Sequence, residues 1–172
     1  DKTALDNALA VALENEKRAK QAQAALRLEK EKVLFVEEQR NYETNVTILD
    51  GQNSQRVLCQ DNAFTKETVW DGFTIQNGGG AYDGAGAYIN AYGTLKNCKI
   101  TENGSETLST TTAIYGGGVY VDGGTLDNCK VSYNSLKNDK GGSLRGAGVY
   151  MKAGHILDCE INNNVNNSDS HY

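Results

Sequence analysis

Cysteine, histidine and tyrosine are the side chains here whose type and spacing could ligate a metal, form a disulfide or recognise a ligand. Cys98, Cys129 and Cys159 recur after 31 and then 30 residues. No C-x₂₋₄-C pair occurs, and His155 and His171 supply no matching ligand pair, so the spacing gives no metal site and calls for no cofactor. The pattern favours buried thiols, small hydrophobes in a core. A disulfide between neighbours is the alternative, although parallel Cβ vectors are an awkward start for its torsion. Tyr88, Tyr120 and Tyr150 recur with the same period and are the candidate ligand-binding residues. Their rings could stack on sugars or anchor a protein partner, or they could simply form a ladder that stabilises a sheet. Acid–base chemistry would need convergent groups. Asp83, Asp122, Asp127 and Asp158 fall in different columns, Asp122 has only Asn90 and Lys152 as counterparts, and Arg145 has no obvious acidic partner. No catalytic residue is assigned, and catalysis by this chain alone is not expected.

The elements that must position these residues are repeats. Gly84-Ala-Gly-Ala-Tyr-Ile, Gly116-Gly-Gly-Val-Tyr-Val and Gly146-Ala-Gly-Val-Tyr-Met align, each followed by a strand that carries a cysteine and closes on Asn103, Asn134 or Asn164. A period near 30 signals a stacked architecture, and no copy holds enough apolar surface to fold alone. Two divergent copies lie upstream: Arg56–Cys59 and Val69–Ile75 match the first and second strands of the unit, and Val46–Gly51 supplies one more second strand. The register predicts five inward columns: Val57/Ala87/Val119/Val149, Cys59/Ile89/Val121/Met151, Trp70/Leu95/Leu126/Ile156, Val46/Phe73/Cys98/Cys129/Cys159 and Ile48/Ile75/Ile100/Val131/Ile161. Side chains alternate along a strand, so the tyrosines and the row Thr47/Thr74/Lys99/Lys130/Glu160 point to solvent. Stacking like on like in parallel strands gives a mainly β parallel solenoid of about four to five coils over residues 43–172. The closing asparagines read as a buried turn ladder. The Gly116-Gly117-Gly118 run lacks the Lys-Ser/Thr ending and following helix of a phosphate loop and serves close turns instead.

Residues 1–42 differ. From Ala4 to about Gln39 the chain has no glycine and is rich in strong helix formers, which predicts one long helix. Leu5, Ala12, Ala19, Leu26 and Val33 recur every seventh residue, a thin seam interrupted in its second row by Asn15 and Glu29. The helix packs on a neighbouring domain or on the end of its own, oligomerises as a stalk, or links. The net charge of −5 and the absence of a polybasic patch argue against nucleic acid as partner. No run of 18 apolar residues occurs, so no transmembrane segment is expected. The chain opens at Asp1 without a leader and closes on Val165-Asn-Asn-Ser-Asp-Ser without a convincing cap, which suggests a piece of a longer parent.

Gly-Gly-Gly-Val-Tyr-Val, Thr-Leu-Asp-Asn-Cys-Lys-Val and the closing asparagine, with Val46–Gly51 and Asp71–Gly78 as opening coils, resemble the right-handed parallel β-helix repeats of bacterial surface proteins, the polymorphic outer-membrane-protein-like and pectin-lyase-like groups. The likeness covers roughly residues 45 to 165. It implies a right-handed β-helix and an exported, extracellular or cell-surface setting, and is unspecific for function because adhesins, lyases and tailspikes share the scaffold. The expectation is a non-catalytic, adhesin-like module that binds a glycan or surface protein through Tyr88, Tyr120 and Tyr150, with oligomerisation through the N-terminal helix as a further partner expectation. A fragment of a phage tail fibre or tailspike, or of a secreted polysaccharide-degrading enzyme, is the alternative.

Overall fold

The computed structural model describes residues 1–39, 41–104 and 107–168; His171 and the end of the trailing Asn-rich segment lie outside them. Contacts divide the chain into two compact units, Asp1–Asn41 and Tyr42–Tyr172. The first is a single helix, Lys2–Gln39. Asp1 caps it, its Oδ1 accepting from the Thr3 amide at 3.2 Å. Ion pairs one turn apart, Glu14–Arg18 and Glu16–Lys20, line its surface. Leu5, Leu26 and Val33 of the heptad row are all exposed. No helix among the described residues is long and apolar enough to cross a membrane.

The second unit is a parallel β-solenoid of about four turns. One sheet stacks Thr47–Asp50, Phe73–Gln76, Lys99–Thr101, Lys130–Ser132 and Glu160–Asn162, every pair parallel. A second sheet holds the tyrosines on Ala87–Asn90, Val119–Asp127 and Val149–Leu157, with Leu58–Cys59, Gly93–Lys96 and Thr68–Asp71 completing it. A third sheet, Thr107–Leu108, Ser135–Asn138 and Val165–Ser168, and a small pair, Ile114–Tyr115 with Leu144–Arg145, close the coils. Alternation puts Ile75, Ile89, Leu95, Ile100, Val119, Val121, Leu126 and Val131 in the bore, all fully buried. Each such side chain contributes roughly 1.5–3 kcal/mol over leaving it in water.

From Phe73 onward the predicted columns hold in register, with Met151 and Ile161 of the last described coil exposed. Trp70, Leu95, Leu126 and Ile156 pair in register, as do Ile75, Ile100, Val131 and Ile161. The first coil is shifted by one residue. Leu58, not Val57, pairs with Ala87, and Thr47 and Leu49, not Val46 and Ile48, pair with Phe73 and Ile75. Val46 and Ile48 therefore stand exposed, and Cys59 leaves the core to join the tyrosine column opposite Tyr88. The reason is that Val57-Leu58-Cys59 is apolar at every position and Val46-Thr47-Ile48 alternates in the opposite phase, so alternation does not set the register; the backbone ladder does. Leu58 N donates to Gly86 O at 3.0 Å and Gln60 N to Tyr88 O at 2.9 Å. Gln60 thereby occupies the inward place below Ile89, buried, its Nε2 donating to Ala91 O at 2.9 Å.

The three remaining cysteines are free thiols in one column, Cys98 and Cys129 buried and Cys159 half-buried. Each sulfur donates within its own coil: Cys98 to Lys96 O at 3.1 Å, Cys129 to Asp127 O at 3.4 Å, Cys159 to Leu157 O at 3.1 Å. The contact with the Cys98 sulfur, and burial, push the Cys129 thiol up.

At the corner after these strands lies the buried asparagine ladder. Asn134 Oδ1 accepts from Asn103 N at 3.1 Å and Asn103 Nδ2 at 2.9 Å, while Asn134 Nδ2 donates to Ile100 O at 3.0 Å and Ser132 O at 3.1 Å. Asn164 repeats the pattern against Asn134, and Asn103 Oδ1 receives Gly78 N at 2.8 Å. Room for these amides comes from the glycine preceding each inward Ala87, Val119 or Val149. A Cβ on Gly118 would sit 2.9 Å from Asn134 Nδ2 and 2.6 Å from Gly148 O.

Asn134→Ala strands buried donors and acceptors in two coils and is expected to destabilise the solenoid by at least about 3 kcal/mol. Gly118→Ala is expected to cost about 1–3 kcal/mol through overpacking. Urea unfolding of both variants beside a surface control such as Asp139→Ala checks this; losses no larger than the control's would remove the ladder from its central place.

Candidate functional site

The regular phase of the second sheet puts Tyr88, Tyr120 and Tyr150 directly above one another. Their ring centroids are 4.8 Å apart between Tyr88 and Tyr120, nearly parallel at 6°, and 5.2 Å apart between Tyr120 and Tyr150, tilted by 36°. All three are half-buried. Tyr115, from the small two-stranded sheet, adds a fourth ring, 4.5 Å from Tyr150 and edge-on to Tyr120 at 6.2 Å. Guanidinium groups flank the cluster. Arg56 lies 5.4 Å over the Tyr88 ring and Arg145 5.8 Å over the Tyr115 ring, distances at which cation–π attraction operates. Arg56 is pinned further, donating to Gly84 O at 3.0 Å and to the Cys59 sulfur at 3.1 Å.

One carboxylate reaches the row from above. Asp122 Oδ2 accepts from the Tyr88 hydroxyl at 3.2 Å and from Lys152 Nζ at 2.9 Å. It reaches both because the pairing is irregular there: Asp122 lies opposite Asn90 on one side and Ala153 on the other, so Lys152 falls outside the register. Burial, and then the Asp122 charge, push the Tyr88 phenol up to about 12. The same two causes raise Tyr120, and the hydrogen bond to Asp122 raises Lys152, which therefore stays charged at neutral pH. Burial raises the Asp83 carboxyl against the pull of Arg56.

This geometry limits what the row can do. One face of Tyr88 is turned onto Tyr120 and another lies under Arg56, while Tyr120 is flanked by rings on both sides. At Tyr88 and Tyr120 the ligand contacts left are ring edges, hydroxyls and the surrounding charges, a set suited to hydrogen bonding rather than to stacking a sugar on an open aromatic face. The three tyrosines named from sequence are brought together. Arg145 finds its partner in an aromatic ring instead of an acid. Tyr115, Arg56 and the Asp122–Lys152 pair are the residues that sequence reasoning left out of the site; the repeat of Ile114-Tyr115 against Leu144-Arg145 was the available signal, hidden in segments that do not otherwise align. Among the described residues, no group of three or more His, Cys, Asp or Glu is placed to hold a metal.

Asp122→Asn removes the charge beside Tyr88 and is expected to move the Tyr88 titration downward, leaving the part due to burial. Ultraviolet phenolate titration of the variant and the parent, each beside its Tyr88→Phe counterpart, isolates this residue. An unchanged midpoint would show that Asp122 does not act on it.

Compared with known protein families, with curated proteins and with solved structures, the chain matches none of them.

Proposed function

We propose that the solenoid is a non-catalytic, adhesin-like binding module of the cell surface or extracellular space, and that its ligand, a glycan or a surface protein, lies along Tyr88, Tyr120 and Tyr150. The observation that carries this reading is the row itself: stacked phenols at coil spacing, rimmed by Arg56, Arg145, Lys152 and Asp122. Of the two ligand classes, a glycan suits the row better, since phenols whose ring centroids follow one another at 4.8 and 5.2 Å offer repeated donors and acceptors to a repeating polyol. Asp122 is held by Lys152 and Tyr88, which favours a structural and recognition role for it over acid–base work. The setting rests on the resemblance of the repeats to bacterial surface β-helices.

Changing Tyr88, Tyr120 and Tyr150 together to Phe keeps the ring stack and removes the hydroxyls. Binding to a panel of neutral and acidic polysaccharides, read by glycan array and then by calorimetry, is expected to fall at least tenfold, with the melting temperature nearly unchanged. Undiminished binding by the triple variant would sink the assignment of this face.

The helix belongs to the same proposal as an oligomerising element. An isolated helix with its heptad row exposed gains stability by pairing with a second copy. Sedimentation equilibrium of the whole chain beside a chain beginning at Tyr42 is expected to give an oligomer for the first and a monomer for the second. Two monomers would refute the stalk.

A further inference from the structure

On the sheet formed by Thr47–Asp50, Phe73–Gln76 and their partners, away from the tyrosine row, lies a groove of about 480 Å³ lined by Tyr42, Val46, Ile48, Phe73, Lys99 and Lys130 among others. It exists because of the one-residue shift in the first coil, which turns Val46 and Ile48 out to roughly half exposure where an outward row would ordinarily be polar. Tyr42 packs on Gly72, its Cβ 3.1 Å from where a Cβ on that glycine would stand. Thr74, which also points outward, is only 9 % exposed, so the surface is concave here.

The outward column runs Ile48, Thr74, Lys99, Lys130, Glu160 along the solenoid. Its start is apolar and its middle is two lysines directly opposite each other. Like charges in that arrangement repel. Lys130 has Glu43 at 3.5 Å, an exposed and therefore weak pair. Among the described residues, Lys99 has no carboxylate within ion-pair distance.

We infer that this groove binds a small anionic amphiphile, its apolar body on Val46 and Ile48 and its carboxylate at Lys99 and Lys130. The volume falls in the range of small-molecule sites, roughly 300–1,000 Å³. The two coil steps from Ile48 to Lys99 span about 10 Å, which sets the length of the body. The charge selects the ligand's sign, because an anion between the lysines relieves a repulsion that a neutral or cationic head leaves in place.

Calorimetric titration of the whole chain with decanoate and with 1-decanol, both below their aggregation limits, tests the inference. Decanoate is expected to bind at least tenfold more tightly than 1-decanol. Lys99→Gln is expected to erase that difference without changing 1-decanol binding, and Ile48→Ser to weaken both ligands. Lys99 is an exposed side chain, so the variant's circular dichroism and melting temperature should match the parent's. Equal affinity for the two ligands, an unaltered preference in Lys99→Gln, or no saturable decanoate binding in the millimolar range would each overturn the assignment.

Discussion

The solenoid depends on the side-chain amides stacked at its buried corner. Peptide groups that turn a corner inside a protein lose both water and the sheet ladder, and each unpaired one costs free energy. Asn103, Asn134 and Asn164 resolve this because one asparagine amide offers an acceptor to the backbone of the preceding coil and donors to carbonyls of its own and the preceding coil. The glycines before the tyrosine strands follow from that choice, since any Cβ there would collide with the amides. So does the even rise between coils, which the amide-to-amide bonds of 2.9 Å hold in step.

Once the rise is fixed, every outward position becomes a column of like residues at close spacing, with consequences of both signs. Phenol rings at this spacing attract and form a continuous stack. Lysines repel, as Lys99 and Lys130 do. At the turn before the cysteines, Asn97 and Asn128 hold left-handed conformations with φ near 50° and join through a 2.7 Å side-chain bond. At the turn before the buried ladder the same conformation falls to Tyr133 and Glu102, residue types that adopt it at a cost. The tyrosine row on one sheet and the lysine pair on the other are thus products of one geometric rule.

Much of this could be read from the sequence, and the reason is repetition. Three copies in register fix the phase of alternation, so the columns through Leu95, Leu126 and Ile156 and through Ile100, Val131 and Ile161 were accessible, as were the cysteine column and the tyrosine row. The first coil was not, because Val57-Leu58-Cys59 carries no alternation to read and Val46-Thr47-Ile48 alternates in the phase opposite to the one the backbone ladder adopts. That single ambiguity misplaced Cys59 and concealed both the buried Gln60 and the groove at Ile48. The short strands at Thr107–Leu108 and Ile114–Tyr115 were missed for another reason: each is two residues long, and the segments around them do not align between coils. Tyr115 therefore stayed out of the site until the backbone placed it.

The asparagine ladder also has a direction. Each amide oxygen reaches back to the coil before it, never forward, so every coil completes the bonding of its predecessor. A lesion in one rung is inherited upstream: loss of the Asn134 side chain leaves the Asn103 amide unanswered and takes a donor from the Ile100 carbonyl, whereas the Asn164 oxygen loses only one of its two donors. Along this axis the molecule is polar in the sense that a zipper is, and disorder entering at a later coil unfastens the earlier one.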